Sequence, residues 1–251
     1  MIPVAILAGG LATRMRPHTE TLPKSLLEVA GEPFIAHQLR ALSNQGIKKV
    51  VLCVGYLAEK IEEFVRDGNA FGVWVEYSRE EDKLLGTGGA LRKALPLLGD
   101  EFFVLYGDSW LEIDYALVIN SFRESGLPAL MTIFKNEGQW DTSNVEFLKG
   151  KIKLYSKVQH TRFMKHIDYG LGILTKRILK DYPEHRAFDL NEIYENLSRH
   201  QRLAGYEAKK RFYEIGSKTG LEELKLKLKD EVKVKHSFLL NKQKVKRKNH
   251  K

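Results

Sequence analysis

The chain has 251 residues, 43% hydrophobic and 29% charged, the make-up of a folded globular protein, which excludes disorder over most of its length. A single cysteine, Cys53, excludes a disulfide scaffold, and no apolar run approaches the ~20 residues of a membrane-spanning helix. The net charge of +9 is uneven: residues 229–251 hold nine Lys or Arg against two acids, leaving only +2 for residues 1–228.

Strand and helix signals alternate from the start. Pro3–Leu7 reads as a short apolar strand stopped by Ala8-Gly9-Gly10, and Phe34–Ser43 places Phe34, Ile35, Leu39 and Leu42 on one helical stripe. Lys49–Val54 predicts a buried strand containing Cys53, Leu57–Val65 a helix, and Val73–Tyr77 a strand. A helix over Gly88–Leu98 and a strand over Phe102–Tyr106 complete a pattern that predicts an α/β fold with a doubly wound, mainly parallel sheet, which binds ligands at the carboxyl ends of its strands. Beyond Asp108 the pattern changes to short strands at hairpin spacing: Ala129–Lys135, Asn144–Leu148, Lys151–Tyr155 and Tyr169–Leu174. Helices follow at Lys176–Asp181 and Leu190–Ser198, the second with Asp189 as its cap, then a strand over Arg211–Ile215 and a helix from a Ser217 cap to about Leu228. One compact domain is expected over residues 1–228, with a solvated, mobile basic arm over 229–251. The start of the chain lacks a charged leader before its apolar residues, so no secretory signal is expected.

The most informative segment is Leu7-Ala8-Gly9-Gly10-Leu11-Ala12-Thr13-Arg14-Met15-Arg16, with Lys24 ten residues past Arg14. Two glycines behind a strand allow a tight turn whose backbone N–H groups face an anion. Arg14 and Arg16 add forked, permanently charged donors and Lys24 a compact point charge, a set that suits a triphosphate. It is not a P-loop, since G-x-x-x-x-G-K-[ST] does not occur, nor a dinucleotide fingerprint, since G-x-G-x-x-G is absent.

The string LAGGLATRMRPHTETLPKSLLEVAGEPFI resembles the signature of sugar-1-phosphate nucleotidyltransferases, L-A-[GA]-G-x-x-x-R-[ML]-x-P-x-T-x-x-x-P-K-x-L. The resemblance continues in order through Leu85–Ala90, Val104–Asp108, Asp168-Tyr169-Gly170 and Tyr213–Gly216, covering residues 1 to about 228. It looks closest to the short bacterial heptose-1-phosphate guanylyltransferases and N-acetylmuramate-1-phosphate uridylyltransferases. The resemblance implies a Rossmann-like, GT-A-like fold with a nucleotide-binding half over residues 1–110 and a mixed-strand, sugar-phosphate-binding half over 111–228. The implied reaction is attack of a sugar 1-phosphate on the α-phosphorus of an NTP, giving an NDP-sugar for polysaccharide or cell-wall synthesis in the cytoplasm, and pyrophosphate.

By the family pattern, Arg14 holds the β- and γ-phosphates and Lys24 sits near the α-phosphate, with Leu7, Ala8, Gly9, Gly10 and Thr13 contacting the nucleotide. Asp108 carries Mg²⁺, with Glu214 as second carboxylate where the commoner pattern has Asp; the alternative for Asp108 is a helix cap before Trp110–Leu117. Gly86 and Gly88, with Gly89, let backbone approach a flat base whose edge Thr87 reads. Asn144, Lys157, Asp168 and Gly170 fall where relatives meet the sugar and its phosphate, although Lys157 stands in Ser-Lys-Val where many relatives have Glu-Lys-Pro. Homo-oligomerisation stays open.

Two rivals are weaker. A glycosyltransferase using an NDP-sugar would present D-x-D, whereas this chain has Asp108-Ser109-Trp110. A nucleic-acid-binding protein would interleave aromatic with basic residues, and the arm has only Phe238, so nucleic acid is not an expected partner.

Overall fold

A computed structural model of the chain describes residues 1–81 and 83–230. Most of the basic arm, and with it the expectation of mobility, lies outside the described residues.

The elements follow as β1 (Val4–Leu7), the small ladder β2 (Glu28–Val29) and β3 (Glu32–Pro33), α1 (Phe34–Asn44), β4 (Lys49–Val54), α2 (Ala58–Val65), β5 (Trp74–Arg79), α3 (Gly86–Ala94), β6 (Glu101–Tyr106), β7 (Ser109–Trp110) and α4 (Tyr115–Ser125). The second half continues with β8 (Ala129–Lys135), β9 (Val145–Leu148), β10 (Lys151–Tyr155), β11 (His166–Thr175), α5 (Lys176–Lys180), α6 (Leu190–Arg199), β12 (Leu203–Ala208), β13 (Tyr213–Glu214) and a last helix, α7, over 218–230.

A sheet of nine strands runs in the order β5-β4-β1-β6-β11-β8-β12-β10-β9. The first four are parallel, β11 and β10 run against the rest, and β12 pairs parallel with β8. Alternation along the strands explains why helices pack on both faces. Val4, Ile6, Val50, Leu52, Phe103 and Leu105 meet α1, α2 and α4, while Ala5, Val51, Cys53, Phe102 and Val104 meet α3, α5 and α6. The predicted stripe on α1 is buried at all four positions, and the helix stops where Gly46 takes a φ of 79°. The β9–β10 hairpin turns through Lys149 and Gly150, both at positive φ, as a two-residue loop requires.

Two expectations are corrected, and the alternative for Asp108 is ruled out. Asp189 precedes α6 without capping it; Thr87 Oγ1 accepts the Leu190 N–H instead, at 2.8 Å, and Asp189 Oδ1 accepts from Thr87. The strand over Arg211–Ile215 shrinks to Tyr213–Glu214, whose partner among the described residues is the equally short β7. No helix starts at Trp110: that residue pairs in β7, and α4 begins at Tyr115 under a cap from Asp114. Ser217 does cap α7, accepting the Gly220 N–H at 3.0 Å.

Candidate active site

The chain leaves β1 and β6 side by side, at the point where connections diverge to opposite sides of β1, the usual crevice of an open α/β sheet. Gly107 makes this approach possible. Its N–H donates to Leu7 O at 3.0 Å, and a methyl built on it would lie 2.4 Å from that oxygen. The glycine loop after β1 and Asp108 after β6 therefore meet. A cavity of about 300 Å³ opens there, lined by Leu7, Ala8, Gly9 and Gly10 on one side, Gly86 and Thr87 on another, and Lys24, Tyr106 and Asp108 at its end.

Lys24 stands on a single helical turn behind Pro23 and gives its Nζ to Asp108 Oδ2 at 2.7 Å. Glu214 arrives from the other end of the sequence. The β7–β13 ladder sets it opposite Ser109, and Ile215 N–H donates to Asp108 O. A methyl built on buried Gly216 would sit 2.8 Å from Glu214 Oε2, 3.1 Å from Asp108 Oδ2 and 3.4 Å from Arg14 Nη2. Two carboxylates and a guanidinium thus converge on one point, which only glycine leaves open. Glu214 also accepts from the Gly216 N–H and the Ser217 hydroxyl at the start of α7, which fixes its side chain. Two hard oxygen donors beside a phosphate site fit Mg²⁺, which takes one or two carboxylates and leaves its other positions to phosphate and water. Among the described residues no cluster of three or more His, Cys, Asp or Glu offers a rival metal site.

The expected sugar-phosphate residues gather next to this cavity. Asn144 Oδ1 accepts the Asp168 N–H at 3.1 Å, and Asp168 Oδ1 accepts the Gly170 N–H at 3.0 Å. Tyr106 lines the cavity and donates its hydroxyl to Asp168 Oδ2 at 3.2 Å, joining the two regions. Burial pushes the Asp168 carboxyl above its ordinary range, against the pull of the Gly170 N–H, the Lys157 charge and the Tyr106 hydroxyl. Lys157 itself is exposed, close enough for its charge to act on Asp168.

Elsewhere the placement departs from expectation. Methyls built on Gly88 and Gly89 would meet Phe188 Cε2 at 2.3 Å and the Arg186 carbonyl at 2.8 Å. These two glycines admit the 186–189 segment, and of the three only Gly86 lines the cavity. The Thr87 hydroxyl is engaged at the start of α6. Thr13, Arg14 and Arg16 are exposed on the turn beyond the glycines, Arg14 at the carboxylate cluster and the other two outside the cavity lining.

Sequence reasoning missed Tyr106, which reads as one more apolar strand residue, and Glu80. The Glu80 carboxylate accepts the Leu85 N–H at 2.5 Å and lies 2.8 Å from where a Gly9 methyl would be, packed between the glycine loop and the start of α3. Burial raises its pKa, with the Leu85 N–H opposing. The acidic run Glu80-Glu81-Asp82 disguises it as a solvated loop. Cys53 also lines the cavity, but burial pushes its thiol up to about 12, helped by the Glu80 charge, so it supplies no thiolate near neutral pH.

The profile of the nucleotidyl transferase family matches residues 4–143, which span the glycine loop, Lys24 and Asp108. The chain belongs to this family. It is 32% identical over 187 residues to the D-glycero-alpha-D-manno-heptose 1-phosphate guanylyltransferase of Campylobacter jejuni, covering 74% of this chain and 82% of that one. It is 42% identical over 124 residues to the N-acetylmuramate alpha-1-phosphate uridylyltransferase of Neisseria meningitidis, covering 49% of this chain and 53% of that one. The crystal structure of HddC from Yersinia pseudotuberculosis complexed with GMP-PN superposes with a TM-score of 0.75 and 26% identity, over 91% of this chain and all of that one. The sequence resemblance to sugar-1-phosphate nucleotidyltransferases is thereby borne out, as is an enzyme of the α/β class. Among the described residues no helix is long and apolar enough to cross a membrane.

Proposed function

We propose that the protein transfers a nucleoside monophosphate from an NTP to a sugar 1-phosphate, with guanylyl or uridylyl transfer favoured. The observation that carries this reading is the convergence of Lys24, Arg14, Asp108 and Glu214 beside a glycine-lined cavity, joined through Tyr106 to Asn144, Asp168 and Gly170. Residues 1–110 form the nucleotide half of one domain, residues 111–228 the sugar-phosphate half. Two of the relatives above are named for guanylyl and uridylyl transfer, and HddC was solved with GMP-PN, which supports these two bases.

Two anions must be brought together, so the protein's work is positioning and charge neutralisation. Gly9 and Gly10 offer backbone N–H groups to the phosphates. Arg14 grips the β- and γ-phosphates and stabilises pyrophosphate as it leaves. Lys24, held by Asp108, faces the α-phosphate as charge builds there. Lys157 pairs with the phosphate of the sugar, and Asp168, aligned by Asn144 and Gly170, accepts from a sugar hydroxyl. An oxygen of the sugar phosphate forms its bond to the α-phosphorus while the bond to the bridging oxygen of pyrophosphate breaks. Asp108 and Glu214 would hold Mg²⁺, which when bound supplies positive charge against the phosphates. Both substrates are cytoplasmic phosphate esters, which is where we place the enzyme.

Pyrophosphate release, measured with each NTP, Mg²⁺ and a panel of hexose, heptose and amino-sugar 1-phosphates, tests the reading. One pairing should stand out, and Asp108→Asn should cut its kcat by about 10²–10³-fold, the scale of losing one preorganised charge contact. No release from any pairing would refute the function, and a wild-type rate in Asp108→Asn would refute the role of Asp108.

A further inference from the structure

Asp108 sits in a turn that lacks the support of a helix. The chain passes from Tyr106 at the end of β6 through Gly107 and Asp108 into β7, and Gly107 is pressed against the Leu7 carbonyl. A side chain from the opposite layer reaches this turn. Gln38 lies on α1, 3% exposed, and its Nε2 donates to Ser109 O at 2.9 Å and to Tyr106 O at 3.3 Å. The two hydrogens of one amide group thereby hold the residues on either side of Gly107-Asp108.

The amide can face only one way. Turned over, its oxygen would oppose two carbonyl oxygens, acceptor against acceptor. In the orientation it takes, Oε1 is buried and has no hydrogen-bond partner among the described residues. A buried acceptor without a partner destabilises a fold, and a leucine or methionine on α1 would bury the same space without it. The two N–H groups are what glutamine adds there, and both are spent on the turn that carries Asp108.

We infer that Gln38 is a positioning residue for Asp108: it clamps the 106–109 turn so that the carboxylate stays aligned with Lys24, Arg14 and Glu214. The inference rests on the proposed role of Asp108. Gln38 touches no substrate, so its removal misplaces a group rather than deleting one. Outer contacts of this kind are worth about 10–100-fold in metal affinity or activity.

Gln38→Met keeps the volume without the donors, and Gln38→Asn keeps the amide but withdraws it by one methylene. Each is compared with the full-length wild type by pyrophosphate release, by Tm, and by titration of Mn²⁺ followed by electron paramagnetic resonance in the presence of NTP without sugar phosphate. The expected result is a kcat and a Mn²⁺ affinity each lower by about 10–100-fold, with the KM for NTP nearly unchanged because Arg14 and the glycine loop are untouched. A packing role alone would lower Tm and leave the Mn²⁺ midpoint in place. Wild-type kcat and Mn²⁺ midpoint in either folded variant would overturn the inference, as would failure of both variants to fold, since Gln38 would then be a determinant of the fold. Absence of pyrophosphate release from the wild type would instead refute the proposed function, and the Mn²⁺ comparison would still judge Gln38.

Discussion

Asp168 occupies a place that disfavours its own charge. Burial raises its pKa even though the Gly170 N–H, Lys157 and the Tyr106 hydroxyl all pull the other way. In the unfolded chain the group titrates near ~3.9. Between that value and the raised one the native state keeps a proton that the unfolded state has released, so stability falls as pH rises through the window and stays lowered above it. Asp168→Asn is therefore expected to raise Tm at pH 7, with the gain vanishing below about pH 3.9, where both states of the wild type are protonated. The amide can keep both contacts: its oxygen accepts the Gly170 N–H, and its nitrogen donates to the Tyr106 hydroxyl, which can turn to accept. The same variant should raise the KM for sugar 1-phosphate, because a carboxylate acceptor is lost. Thermal melts across pH, set beside the kinetics, decide it; a lower Tm at pH 7 would show that the carboxylate's hydrogen bonds outweigh its burial.

At the scale of elements, the segment before β13 fastens the carboxylate cluster to the loop that leads into β9. The Arg211 guanidinium lies 3.7 Å from the Trp140 ring centroid and 4.4 Å from that of Tyr213, and Nη2 is tied to Glu223 Oε2 of α7 at 2.6 Å. Trp140 belongs to a loop that Asn136 closes internally and that ends at Asn144, the partner of Asp168. Losing one exposed cation–π contact, worth ~0.5–1 kcal/mol, should raise the KM for sugar 1-phosphate by roughly two- to fivefold in Trp140→Ala while the KM for NTP holds. Steady-state kinetics with each substrate varied in turn checks this, and equal shifts in both KM values would sink it. None of this latch was legible in the sequence, since Arg211 and Trp140 are 71 positions apart and each looks like an ordinary surface residue. In the parallel half β1, β4 and β6 were legible because they are largely buried on both faces and read as short apolar runs, as Lys49–Val54 shows, while the edge strand β5 was legible by its alternation. The helix α4 and the strand β12 were not. Leu203–Ala208 carries Gly205 and Glu207, and its place between β8 and β10 is set by tertiary pairing. The glycine loop, Lys24 and Asp108 announced themselves through charge at strand ends. Gln38 gave a different sign: four residues from both Phe34 and Leu42, it is a polar residue inside the apolar stripe of α1, and only the turn it meets shows what its amide does there.

The molecule as a whole divides its charge between a nearly neutral body and a strongly basic end. Residues 231–251 carry eight Lys or Arg and one acid, +7, while residues 1–230 carry +2 and gather Arg14, Lys24 and Lys157 where the proposed substrates meet. So much like charge on one segment would aid catalysis by drawing anionic substrates toward the cavity. Such steering fades beyond the Debye length, about 8 Å at physiological ionic strength, and steepens as salt is removed. Binding energy for the triphosphate comes instead from groups in contact with it, which the body supplies. Deleting residues 231–251 should therefore leave kcat and both KM values unchanged at ~0.15 M salt. It should also abolish retention on a polyanionic resin, whose salt dependence would follow the number of cations removed. A fall in kcat/KM that appears only at low ionic strength would identify the arm as a steering device. A fall in kcat that persists in high salt would require it to touch the reacting groups, and catalysis would then not belong to the body alone.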